Sequence, residues 1–108
     1  MNSSVIIDNR SKEKLYKILK KNNLTFVFNK AITVLKTDPQ AGKRVNKDRI
    51  PKELIKKYHI NNLFIYDLVR KHPGWRLLYT IKPNGKVKIL VVVLEVLKHK
   101  KYDRLFRY

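Results

Sequence analysis

GWRLLYTI at residues 74–81, KPNGK at 82–86, VKILVVVLEVL at 87–97 and KHKKYDRLFRY at 98–108 make up the stretch that decides the fold. In an extended chain successive side chains alternate between faces. Trp75, Leu77, Tyr79 and Ile81 then point one way, and Arg76, Leu78 and Thr80 the other. The next run, Val87 to Leu97, is apolar on both faces for most of its length, which is the pattern of a central strand covered on both sides. Asn84-Gly85 between the runs is a strong hairpin-turn signal. The reading is a hairpin at the centre of a sheet, followed by a short basic and aromatic tail that holds His99, Tyr102, Arg104 and Phe106. Helices cannot cover both faces of so small a sheet, so one face is expected to await a partner.

Working outward, Leu63 to Leu68 reads as another strand, and 69–73 as a loop carrying Arg70, Lys71 and His72. Pro51 suits the first position of a short helix over about 51–58, with Glu53 near its positive end. Residues 38–50 form a polar, basic loop in which Lys43, Arg44, Lys47 and Arg49 cluster. In residues 24–37 Leu24, Phe28, Ala31, Ile32 and Leu35 fall at helical spacing, against the strand preference of Thr25, Phe26, Val27, Thr33 and Val34. The length of the run favours a helix, ended by Asp38-Pro39. A further helix over about 12–21 is capped by Ser11 and carries Leu15, Ile18 and Leu19 on one side. Asn22-Asn23 breaks it and caps the next. Val5, Ile6 and Ile7 make a first strand near 4–8. The prediction is a single α+β domain over 1–108. Its sheet is small, mainly antiparallel and four-stranded, in the order β-α-α-β-β-β, with a helical hairpin on one face.

Lys and Arg number 26 against 8 Asp and Glu, a formal charge of +18. Self-repulsion of that size opposes folding and is relieved by a polyanion. Nucleic acid is the leading candidate, through counterion release; an acidic protein would serve the same end. The bland alternative is a lysine-rich surface that only keeps the chain in solution. Cysteine is absent, which excludes disulfides and thiolate metal sites. No signal peptide is evident, and the longest apolar run, Ile89 to Leu94, is too short to span a bilayer, so a cytoplasmic, soluble protein is expected.

The order of elements, with Gly74-Trp75-Arg76-Leu77-Leu78-Tyr79 and His99-Lys100-Lys101-Tyr102-Asp103, resembles the RelE/ParE superfamily of toxins from type II toxin–antitoxin pairs, and most of all its archaeal RelE-like members. The first segment matches that family's Gly-aromatic-Arg-Leu-x-Tyr strand. The second is similar to the His-Lys-x-Tyr-Asp ending of HigB-like members. The resemblance implies an endoribonuclease that cuts mRNA on the ribosome without a metal, and a cognate acidic, RelB-like antitoxin bound in a hetero-oligomer. It also admits a ParE-like gyrase inhibitor, which shares the fold and lacks the chemistry. A plain RNA- or ribosome-binding protein is the third possibility.

Metal-free RNA cleavage asks for a base to take the 2′-hydroxyl proton, fixed positive charge for the phosphorane, and an acid for the leaving 5′-oxygen. Arg76 lies mid-strand between apolar neighbours, its planar fork suits phosphate, and the family's catalytic strand arginine matches it. It can equally be an arginine on a wet sheet face. His99 is the best acid or base, since histidine as a residue type exchanges protons near neutrality; otherwise it is an exposed tail histidine. Tyr102 either stacks on a base or donates to phosphate, or packs against the helical hairpin. Lys43, Arg44 and Lys47 read as a phosphate-contacting loop or a solvated one, and Lys100, Lys101 and Arg104 add positive charge beside His99. Well-studied RelE proteins carry two alternating basic residues where Ile65 and Asp67 stand here. Asp67 either acts as a general base beside His99 or pairs with Arg76. His59, His72 and His99 lack ligand spacing, and no Gly-rich loop or Ser-centred motif is present, so no metal or cofactor is expected.

Overall fold

A computed structural model describes residues 3–84 and 88–107. In chain order the elements are β1 (Ser3–Ile7), α1 (Lys12–Lys21), α2 (Thr25–Thr37), β2 (Lys43–Arg44), a 3-10 turn at Lys47–Arg49, α3 (Lys52–Tyr58), β3 (Phe64–Val69), β4 (Trp75–Asn84), β5 (Lys88–Lys98) and α4 (His99–Phe106). The strands form one sheet in the order β1-β5-β4-β3-β2. Gly85, in the expected turn, lies outside the described residues.

The fold is α+β, but the sheet has five strands among the described residues rather than four, and it is mixed. β1 pairs with β5 in parallel, because α1 and α2 carry the chain away from the sheet between β1 and the strands that follow. The fifth strand comes out of the expected basic loop: Lys43 pairs with Ile65 and Arg44 with Phe64. Gly42 explains why the loop lies down there. A Cβ on Gly42 would sit 2.7 Å from the Ile65 carbonyl oxygen and 2.8 Å from the Tyr79 hydroxyl, so only glycine fits the approach. Tyr79 then holds the segment, donating its hydroxyl to the Pro39 carbonyl at 2.8 Å and accepting from the Gly42 amide at 3.0 Å.

The helix predicted over 24–37 forms as α2, despite its β-branched residues, because Phe28, Ala31 and Leu35 share one buried face. Ser11 precedes α1 without capping it; its hydroxyl donates to the Asp8 carbonyl at 3.3 Å. Asn23 takes a left-handed turn (φ 54°), and Leu24, not Asn23, stands immediately before α2.

Both faces of the sheet are covered, which corrects the expectation of one open face. Leu15 and Leu19 of α1, with Phe28, Ala31 and Leu35 of α2, pack on Leu77, Tyr79, Val91, Val93 and Val96. On the opposite face Leu54 and Tyr58 of α3 and Tyr102 of α4, with Ile50, Ile60 and Leu63, pack on Leu78, Val92, Leu94 and Leu97. The tail, to which the sequence reading assigns no element, supplies the missing cover as a helix. Tyr102 and Phe106, one turn apart, stack at 4.4 Å, and a local reading of a strongly basic segment does not show that packing.

A bulge in β5 places Leu94 opposite no partner, since Leu78 pairs with Glu95 and Tyr79 with Val93. The alternation therefore slips by one residue. Val91, Val93 and Val96 serve the hairpin side, while Val92, Leu94 and Leu97 serve the other. The same slip brings Glu95 to the hydroxyl of Tyr58, 2.8 Å away.

Candidate active site

At the end of the sheet where β3, β4 and α4 meet, a cleft of about 110 Å³ is lined by Asp67, Val69, Arg70, Gly74, Trp75, Arg76 and His99. Register creates it. Arg76 is paired across the sheet with Asp67 on one side and Leu97 on the other, so its side chain leaves on the face of α4. Gly74 turns the chain into β4 with φ 71°, and its carbonyl accepts from the His99 amide at 3.0 Å. A Cβ at Gly74 would lie 3.4 Å from that of His99, so the two residues are in contact. The first residue of α4 is thereby fixed beside the first residues of β4.

Arg76 is held between two partners. Its Nε donates to Asp67 Oδ1 at 3.2 Å, and its guanidinium carbon lies 4.3 Å from the centre of the Tyr102 ring. The Arg76 side chain is 26% exposed, enough for an anion to reach the fork while its stem is packed. Asp67 also faces the Arg70 Nε at 3.9 Å. His99 Nε2 stands 3.1 Å from Asp103 Oδ2, one helical turn on. That contact orients the ring and leaves Nδ1 as the nitrogen for other work. One arginine fork, one oriented imidazole and a second arginine thus surround a small opening. Such a set can bind a phosphodiester and move a proton beside it.

Of the residues read from the sequence, Arg76, His99, Tyr102 and Asp67 come together here. Their roles are sorted by geometry. Tyr102 is buried at 7% exposure, stacked on Phe106 and placed beneath Arg76. It is a support for the guanidinium rather than an open platform, and it packs on the face opposite the helical hairpin. Asp67 is the ion-pair partner of Arg76, one of the two alternatives for it. Lys100, Lys101 and Arg104 are exposed on α4, the helix that begins at His99. Lys43 and Arg44 separate: Lys43 is opposite Ile65, on the face of Arg76, while Arg44 lies over the Phe64 ring at 5.6 Å, on the hairpin face. Lys47 is exposed in the 3-10 turn. Lys43, Arg44 and Lys47 therefore do not form one patch with the cleft.

Sequence reasoning missed Asp103 and Arg70. The spacing of four between His99 and Asp103 is the helical signal that identifies such a pair, and it goes unseen while no helix is assigned to the tail. Arg70 follows Asp67 by three residues, just past β3.

Two tyrosines away from the cleft titrate abnormally. Burial raises the Tyr58 hydroxyl well above the tyrosine range, and its hydrogen bond to Glu95 adds to this. Burial also pushes Tyr79 up to about 12, partly offset by the Gly42 amide. Both are therefore neutral donors at physiological pH.

Among the described residues no three His, Cys, Asp or Glu side chains are grouped as metal ligands, and no helix is long and apolar enough to cross a membrane. Compared with known proteins, the chain matches no family model, no curated protein and no solved structure.

Proposed function

We propose that the chain is a RelE-like toxin: an endoribonuclease that cuts mRNA, on the ribosome, and is silenced by an acidic RelB-like antitoxin in a hetero-oligomer within the cytoplasm. The observation that carries this reading is the convergence of Arg76, His99 and Arg70 on one small cleft, on a chain of formal charge +18. Arg76 binds the scissile phosphate, and its fixed fork is worth most when the phosphorane gains charge. His99, oriented by Asp103, takes the 2′-hydroxyl proton. The 2′-oxygen attacks phosphorus, the bond to the 5′-oxygen breaks, and a water molecule gives the departing 5′-oxygen its proton. The products are a 2′,3′-cyclic phosphate and a 5′-hydroxyl end. Lys100, Lys101 and Arg104 hold flanking phosphates.

Purified protein added to translating ribosomes is expected to produce new 5′-hydroxyl ends in the mRNA. His99→Ala is expected to abolish them and to relieve growth arrest. Intact mRNA, or an arrest that persists in both Arg76→Ala and His99→Ala, sinks the proposal.

One observation favours a second reading, a ParE-like toxin directed at gyrase. β3 presents Ile65 and Asp67 on the face of Arg76, and Asp67 neutralises part of the charge that cleavage needs. Inhibition of DNA supercoiling without RNA cleavage is the outcome that selects it.

A further inference from the structure

A second opening lies beside the first, on the far side of Trp75. It is a cavity of about 140 Å³ between α1 and the end of β5. Leu15, Ile18, Trp75, Val96 and Leu97 are among its apolar residues, and Lys14, Lys98 and Lys101, with Arg10 and Lys57, bring positive charge to it. Glu95 also lines it, the one carboxylate there. Its Oε2 accepts the Tyr58 hydroxyl at 2.8 Å and faces Lys57 Nζ at 3.8 Å. Trp75 lines both openings, and Lys98 adjoins His99 in sequence.

The combination is specific in three ways. A cavity of about 150 Å³ accepts a benzene-sized ring, so this opening of about 140 Å³ suits a flat aromatic base rather than a helix or strand. Exposed lysines around an apolar, aromatic wall match a nucleotide, whose base has a π face and whose phosphates are anionic. A carboxylate at such a place accepts only, so it favours the amino group of adenine or cytosine over the N3–H of uracil, which is flanked by two carbonyl oxygens that repel the carboxylate. An acidic peptide meets the same lysines but is opposed by Glu95.

We propose that the cavity between α1 and the end of β5 is a base-binding subsite for single-stranded RNA, in which Trp75 is the aromatic wall and Glu95 selects an amino-bearing base over uracil. The subsite rests on the RNA reading given above. It receives a nucleotide next to the phosphate held by Arg76.

Trp75 is the single tryptophan of the chain and lines both openings, so its fluorescence reports on ligands at this end of the sheet, and the Glu95 variant assigns the signal to the cavity. The probes are 2′-O-methyl hexanucleotides of A, C and U, which cannot be cleaved through a 2′-hydroxyl. Labelled copies give total binding by fluorescence polarisation at matched salt. The A and C oligomers are expected to quench Trp75 saturably and roughly fivefold more tightly than the U oligomer, the effect of one good acceptor. Glu95→Gln, checked for folding by thermal melting, is expected to erase that ratio while total binding persists. Lys101→Glu, at an exposed position, is expected to weaken quenching by all three. Equal quenching by all three oligomers overturns the selection. Polarisation without quenching overturns the subsite and leaves the RNA reading standing. No polarisation with any oligomer removes both. Quenching by a Glu- and Leu-rich peptide but by no oligomer reassigns the cavity to a protein partner and overturns the proposal.

Discussion

The two faces of the sheet are built from the same strands and end differently. On the hairpin face, β4 contributes Leu77 and Tyr79, both fully buried. The other face begins the same way, with Leu78 fully buried, and ends in Arg76, paired with Asp67 and set over Tyr102. Dry packing runs along the first face as far as the half-buried Trp75. The second stops one residue pair earlier, and the space that packing would have filled is the cleft. A sheet strand can thus serve a scaffold and a site at once, because alternate residues answer to different neighbours.

Neighbouring substitutions on β4 separate the two roles. Arg76→Ala is expected to lower mRNA cleavage by about 100-fold or more, the loss typical of one preorganised charge stabiliser. Its effect on urea unfolding should stay within about 1 kcal/mol, since Arg76 and Asp67 are both partly solvated. A large loss of stability would instead place Arg76 with the scaffold. Leu77→Ala, one residue on, reverses the pattern: about 3 kcal/mol of stability lost in urea titration, through the cavity left on the hairpin face. Cleavage per folded molecule should be unchanged. If cleavage falls in step with Arg76→Ala, the faces are not independent.

Gly42→Ala tests whether β2 belongs to the scaffold. The added methyl meets backbone at 2.7 Å, which a side-chain rotation cannot relieve. A loss of about 2 kcal/mol in urea, typical of overpacking, is expected, along with faster amide exchange in residues 39–45. Unchanged exchange there would mean that the edge strand does not depend on this approach. The smallest effect belongs to Tyr79→Phe, about 1 kcal/mol for the hydrogen bonds removed. Its pH dependence is more telling. The folded pKa is raised, so the wild-type contribution is complete below about 10, the ordinary tyrosine value, and is lost as pH rises toward and through 12. Urea titrations at successive alkaline pH values should show a shallower loss in the variant than in the wild type. Parallel curves would place the alkaline titration elsewhere.

Much of the scaffold was legible. The helical spacing of Leu15, Ile18 and Leu19, and of Phe28, Ala31 and Leu35, survives because each set packs on one sheet face. The two-sided apolar character of residues 87–97 correctly marked β5 as an interior strand. Less of the site was legible. Arg76 and His99 stood out as a charge within an apolar strand and a histidine just after one. Of their partners, Asp67 was one of two alternatives for Arg76, whereas the Tyr102 ring beneath it and Asp103 beside His99 did not stand out, because those meetings depend on how α4 folds and packs. Asp67 and Arg76 are nine residues apart in the chain but directly opposite across β3 and β4.

From the sequence alone came the charge of +18, the alternation that puts Arg76 on the opposite face from Trp75 and Leu77, and the two helices at 12–21 and 24–37. These are local properties: periodicity within one element and a sum over side chains. Tertiary structure alone decided that Lys43 and Arg44 become an edge strand, that the basic tail folds as a helix over the second face, that Tyr102 lies beneath Arg76, and that a bulge turns Glu95 toward Tyr58. Each depends on contacts between distant segments, and no window of the sequence contains both sides of such a contact.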